Sequence, residues 1–198
     1  MVRYGQKMYN NFLVKPLDIE FNLNYALDYL HTLEHKFIHL RWDADDSLDT
    51  VNDAEQQDNI AGVYGWGIQS NLLDISKPCP PYNIHKERTK EYRNTPLVFG
   101  FAEWILEQFP YARQLSIAAH PPGTKIRTHV DTDTWLKIHI PLVTTANSYF
   151  VFSDQKFAME VGKMYLVNTA VPHSTSNEGD QTRIHLFFKL PVDKALEL

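Results

Sequence analysis

Cysteine is nearly missing from this chain. Cys79 stands alone among 198 residues, which excludes an intrachain disulfide and any zinc cluster built from cysteines. Positive charge is not in excess either. With 19 Lys and Arg against 24 Asp and Glu the formal net charge is −5, so nothing marks a nucleic acid or an anionic membrane as a partner. No apolar run approaches a membrane span, and the opening "MVRYGQKMYNNFLVKPLD" lacks the continuous apolar centre of a signal peptide. There is no internal repeat and no low-complexity tract. The glycines form no phosphate loop, because no Gly-Lys-Ser/Thr closes the pattern. A soluble, cytoplasmic protein is expected.

What is present suits a globular protein with a real core, 43% hydrophobic and 13% aromatic. The length favours a single domain over 1–198, with a helix- and loop-rich part at 1–110 packing on a core at 111–192. In "LNYALDYLHTLEHKFIHL", Leu23, Leu27, Leu30, Phe37 and Leu40 recur at helical spacing, predicting one amphipathic helix. The acid-rich segment 43–58 lacks the glycine and terminal glutamate of an EF-hand and reads as a solvated loop. "AGVYGWGIQSNLLD" reads as a glycine- and aromatic-rich loop. In "NTPLVFGFAEWILEQF", Thr95 is the expected N-cap and Pro96 the first helical residue. Leu97, Phe101, Trp104 and Ile105 then form the buried face.

After Pro110 the pattern changes. "QLSIAA", "TKIRTHVD", "LKIHIPL", "SYFVFS", "KMYLVN" and "TRIHLFFKL" are short β-branched and aromatic segments broken near Gly123, Asn147 and Gly162. Such a run without intervening helices predicts an antiparallel sandwich or barrel of jelly-roll type, mainly β with flanking helices.

Side chains two apart on a strand share a face, so Arg127, His129 and Asp131 should point the same way. A His and an Asp so placed can reach one metal ion, giving two ligands of a two-histidine, one-carboxylate facial triad. That triad suits non-heme Fe(II), because it leaves three adjacent positions open. The tripeptide alone is weak, since chance produces one readily in a chain with nine histidines. Its context is "LVNTAVPHSTSNEGDQTRIHLFFKL". There His173 follows a hydrophobic strand, a natural place for a third ligand, and Arg183 follows ten residues later. An arginine fork can grip a carboxylate through two parallel hydrogen bonds.

The order His-x-Asp, distal His and then Arg resembles the Fe(II)/2-oxoglutarate-dependent oxygenases. Within them the chain is most similar to the aspartyl/asparaginyl β-hydroxylase group, which includes bacterial proline hydroxylases. The likeness runs through "HPPGTKIRTHVD", "WLKIHIPL", "VGKMYLVNTAVPHSTSN" and "TRIHLFF". It implies a double-stranded β-helix, a cupin-like jelly roll, with Fe(II) on His129, Asp131 and His173. Arg183 would pair with the distal carboxylate of 2-oxoglutarate, and His139 of "KIHIPL" would also contact that cosubstrate. His185 suits either barrel packing or a cosubstrate contact. In animal aspartyl β-hydroxylases a glycine replaces the acidic ligand. Asp131 restores the full triad and moves the chain towards the bacterial amino-acid hydroxylases.

Trp66, Gln69, Arg127, Asp133 and Lys137 are the candidate substrate contacts, the first two from a segment able to close over a barrel mouth. The implied reaction uses O2 to hydroxylate an amino acid or an amino-acid residue in a small molecule or peptide, releasing succinate and CO2. The competing function is a non-oxidative cupin-like module that binds a metal and a small ligand. Such a module has no need of a carboxylate-gripping arginine, so Arg183 discriminates between the two.

Overall fold

The computed structural model describes residues 12–33, 38–39, 64–73, 75, 88–131 and 134–198. The N-terminal part contributes β1 (Val14–Leu17), α1 (Leu23–Leu33), β2 (Ile38–His39), β3 (Tyr64–Gly67), β4 (Gln69–Leu72), β5 (Arg88–Asn94) and α2 (Phe101–Gln108). Eight strands follow: β6 (Arg113–His120), β7 (Lys125–His129), β8 (Trp135–Val143), β9 (Ser148–Phe152), β10 (Gln155–Ala158), β11 (Met164–Val167), β12 (His173–Asn177) and β13 (Arg183–Pro191). A short helix, α3 (Val192–Ala195), comes after them.

The eight strands divide between two antiparallel sheets. The larger runs β1-β11-β8-β13-β6-β3-β2 and the smaller β10-β9-β12-β7, with β4 and β5 as a separate ribbon. The chain crosses from one sheet to the other at most turns, so successive strands stack face to face. This is the double-stranded β-helix that the sequence led us to expect.

Alternation along β8 and β13 explains what each face does. Leu136, Ile138, Ile140 and Leu142 share a face of β8, as Leu186, Phe188 and Leu190 do on β13. These side chains form one buried cluster with Ala26, Tyr29, Leu30 and Leu33 of α1 and Phe101, Ala102 and Ile105 of α2. Each fully buried aliphatic side chain contributes about 1.5–3 kcal/mol. The opposite face carries Lys137 and His139 on β8, and Arg183, His185 and Phe187 on β13, all buried. That face looks across to Phe150 of β9 in the smaller sheet. Both faces of these strands are covered, which is why polar side chains stand out only on the inner one.

Several elements differ from the sequence reading. Helix α1 ends at Leu33 rather than running to Leu40. Residues 34–37 and Leu40 lie outside the described residues, and Ile38–His39 pairs with β3. Asn22, not a residue inside the pattern, caps α1 by accepting the Tyr25 N–H at 3.1 Å. Helix α2 starts at Phe101, six residues after Thr95. The Thr95 hydroxyl is committed to the Ile68 carbonyl at 2.9 Å and its N–H to the same carbonyl at 3.0 Å, fastening it to the neighbouring segment. Gly100, at φ 56, makes the turn into the helix. Trp104 is half-buried and stacks on Phe101 at 5.3 Å. The glycine- and aromatic-rich stretch holds β3 and β4 instead of a loop, because β3 pairs with β6. The polar "HSTSN" is itself a strand, held on both sides by β7 and β9. The acidic segment 43–58 lies outside the described residues.

Candidate active site

Strands β7 and β12 pair so that His129 and His173 are directly opposite, with ring centroids 4.3 Å apart. Each imidazole is oriented by its own backbone. His129 Nδ1 lies 2.8 Å from the Arg127 carbonyl and His173 Nδ1 2.9 Å from the Val171 carbonyl. A carbonyl only accepts, so both Nδ1 atoms carry the proton and both Nε2 lone pairs are left for a ligand. Asp131 lies just beyond the end of β7, and its N–H donates to the Thr169 carbonyl at 2.9 Å. One donor atom from each of His129, Asp131 and His173 falls within 4.8 Å of the others. This is the one such set found among the described residues.

The electrostatics favour ligand-ready forms. Burial drives the His173 imidazole down to about 4, outweighing the Val171 hydrogen bond that works the other way, so the ring is neutral at neutral pH. Burial pushes the Asp131 carboxyl up, but the charge and hydrogen bond of Lys137 more than reverse this and hold it below its usual value. Lys137 Nζ is 2.7 Å from Asp131 Oδ2. The other oxygen, Oδ1, lies 4.0 Å from His129 Nε2.

Next to this cluster the inner face is basic and closed. Arg183 is 4% exposed. Its Nε and Nη2 lie 3.1 Å from His185 Nε2 and Nδ1, its Nη1 lies 2.9 Å from His120 Nδ1, and its guanidinium carbon is 5.1 Å from the Phe150 ring centre. His139 stacks on Phe187 at 5.4 Å and meets Phe150 edge-on at 4.7 Å, and neither ring nitrogen has a hydrogen-bond partner in the protein. Burial first, and the Arg183 charge second, hold His120, His139 and His185 well below the ordinary histidine value. The Thr175 hydroxyl is another buried, unpartnered polar group. It faces inward with His173, opposite Phe150. Unsatisfied buried donors and acceptors cost about 1–3 kcal/mol each, so a polar ligand filling this space relieves a standing penalty. Neutral imidazoles beside the cations Arg183 and Lys137 make surroundings that suit an anionic ligand such as a dicarboxylate. The two imidazoles and one carboxylate of the neighbouring cluster fit a divalent metal of the Fe(II) type.

The structure brings together His129, Asp131, His173, His139, Arg183, His185 and Lys137. Lys137 is present as the ion-pair partner of Asp131. Arg127 is exposed beside His129, and its carbonyl holds that ring. Gln69 is not brought to the cluster. Its amide is taken up by the Leu115 N–H and the Asn94 side chain, five residues along β6 from His120. The side chain of Trp66 and the whole of Asp133 lie outside the described residues. Two inward-facing residues were missed, His120 and Thr175. The signal for His120 was a histidine ending the otherwise apolar "LSIAAH", but its importance depends on the pairing of β6 with β13.

Comparison with known proteins agrees with this architecture. An oxidoreductase of the 2OG-Fe(II) oxygenase family from Burkholderia pseudomallei shares 16% identity over 90% of this chain and 84% of its own, with a TM-score of 0.56. HygX from Streptomyces hygroscopicus, with nickel and 2-oxoglutarate bound, shares 12% identity over 97% of this chain and 88% of its own, with a TM-score of 0.51. At these identities the likeness is one of fold. No curated protein matches the sequence. Residues 82–191, more than half of the chain and all eight strands of the β-helix, match the family model described as Aspartyl/Asparaginyl beta-hydroxylase. The chain belongs to the aspartyl/asparaginyl β-hydroxylase family.

Proposed function

We propose that the protein is an Fe(II)- and 2-oxoglutarate-dependent dioxygenase that hydroxylates an amino acid or an amino-acid residue, releasing succinate and CO2. The observation that carries this reading is the buried Arg183 beside His139, whose ring nitrogens have no partner, on the inner face of the larger sheet, across the barrel from His129 and His173 of the smaller one. A module that holds only a metal has no use for a buried guanidinium. The HygX structure, with nickel and 2-oxoglutarate on a similar fold, supports the reading.

Iron and 2-oxoglutarate, when bound, supply the oxidising chemistry that activates O2 against a C–H bond. The chain's residues do the rest. His129 and His173 offer Nε2 with their rings already oriented, and Asp131 offers one negative charge. Lys137 holds the far oxygen of that carboxylate. Arg183 takes the distal carboxylate of the cosubstrate, and His139 and His185 complete its polar surroundings. Phe150, Phe152 and Phe187 exclude water from this space. Arg127, exposed beside His129, is the first substrate-contact candidate, with Trp66 and Asp133 behind it.

Adding Fe(II) and 2-oxoglutarate to the protein without oxygen should produce a weak visible charge-transfer band, and admitting air should produce succinate. Absence of both sinks the proposal. Arg183→Lys, which keeps the charge but loses the planar fork, should raise the 2-oxoglutarate requirement and leave the band attainable at saturation. A panel of free amino acids and short peptides, scored by succinate above the substrate-free background, identifies the substrate.

A further inference from the structure

We propose that His120 is a positioning residue for Arg183, fixing the guanidinium so that its Nη1/Nη2 end meets the distal carboxylate of the cosubstrate. The inference rests on the assignment of Arg183 as the cosubstrate anchor.

A guanidinium has two planar edges that match a carboxylate, the side edge Nε/Nη2 and the end edge Nη1/Nη2. His185 lies along the side edge, with both of its nitrogens 3.1 Å from Arg183. A neutral imidazole has one accepting nitrogen, so only one of these contacts is a hydrogen bond at a time. Phe150 lies against the guanidinium face. His120 supplies the second fixed point, with its Nδ1 2.9 Å from Nη1. As Arg183 can only donate, His120 Nδ1 must accept, which places the His120 proton on Nε2. Burial and the nearby charge keep this ring neutral, as an acceptor has to be.

The His120 backbone is held as firmly as its ring. Its Cα is the direct cross-strand partner of Arg183. Its carbonyl accepts from Asn177 Nδ2 at 2.7 Å. The turn that follows, Pro121-Pro122-Gly123-Thr124, is closed by the Thr124 N–H on the Pro121 carbonyl at 3.1 Å, with Gly123 at φ 81. A side chain rooted this way on a strand end is suited to orienting another group.

The test is calorimetric titration of 2-oxoglutarate into the full-length Mn(II)-loaded protein, with Mn(II) affinity measured separately. His120→Leu keeps the bulk and removes the acceptor. It should weaken 2-oxoglutarate binding on the order of ten-fold or more, the usual effect of losing a hydrogen bond to a charged group, and leave Mn(II) affinity unchanged. His120→Asn places Oδ1 where Nδ1 stood and should recover most of the loss. His120→Gln, with its acceptor one bond farther out, should not. Wild-type affinity in His120→Leu overturns the proposal, as does a folded His120→Asn no better than His120→Gln. A parallel loss of Mn(II) affinity in His120→Leu also overturns it. Should His120→Leu fail to fold, the Asn-against-Gln comparison decides. Arg183→Met is the control on the underlying assignment. If it binds 2-oxoglutarate like the wild type, both readings fall; if it binds weakly while the His120 variants do not, only the positioning role falls.

Discussion

Asp131 does two things with two oxygens. Oδ1 faces His129, and Oδ2 is held by Lys137 at 2.7 Å, so the carboxylate cannot turn without breaking a partly buried ion pair. Lys137→Met should free that oxygen and let burial raise the carboxyl's proton affinity. We expect Mn(II) or Fe(II) affinity to fall about ten-fold or more, and to fall further between pH 7 and pH 5, checked by competition with a fluorescent chelator. At this scale the sequence was informative where the chemistry is local. His129, Asp131, His173 and Arg183 were singled out by residue type, spacing and the family resemblance those residues carry. It was silent where a partner arrives from elsewhere in the chain. The ion pair of Lys137 with Asp131 depends on where the chain goes after β7, so the sequence does not show it. Asp131 is placed by its hydrogen bond to Thr169 and not by strand alternation, since it lies beyond the strand. Gln69 read as a loop side chain until β4 paired with β5.

Among the elements, β12 depends most on one residue. Asn177 is 1% exposed and donates to the carbonyls of His120 and Gln181, while its Oδ1 accepts from the Ser148 hydroxyl and the Gly179 N–H. It ties β6, β9, β12 and the loop before β13 together at the Arg183 end of the barrel. Asn177→Ala leaves several buried groups unpaired and should cost about 2–4 kcal/mol, measured by urea denaturation with an unchanged slope. The strands from β6 onward were mostly readable, because β-branched and aromatic alternation is strong in "LKIHIPL" and "TRIHLFFKL". β12 was not, since "HSTSN" has the composition of a loop and becomes a strand only between β7 and β9. The start of α2 was misread for a related reason. Thr95-Pro96 is a good local helix start, but hydrogen bonds to Ile68 hold it elsewhere.

For the molecule as a whole, the acid limb of stability follows from its interior histidines. Burial holds His120, His139 and His185 well below the ordinary histidine value, and brings His173 down to about 4. A histidine whose folded value is depressed gives stability that is complete above the unfolded value and is lost as pH falls towards the folded one. The metal-free protein should therefore keep a flat melting temperature from pH 8 to about 7 and lose it steadily below about 6.5. His139→Phe, which removes one of these groups, should shallow that slope in a thermal melt series. Among the described residues no helix is long and apolar enough to cross a membrane. The order of the smaller sheet has a further consequence. β7 is its terminal strand and pairs with β12 among the described residues, whereas β12 is held on both sides. An ion shared by His129 and His173 would then rivet a terminal strand of the smaller sheet to one held on both sides. Amide hydrogen exchange across residues 125–129 should slow sharply when Mn(II) is added, while β8 and β13 stay as they were.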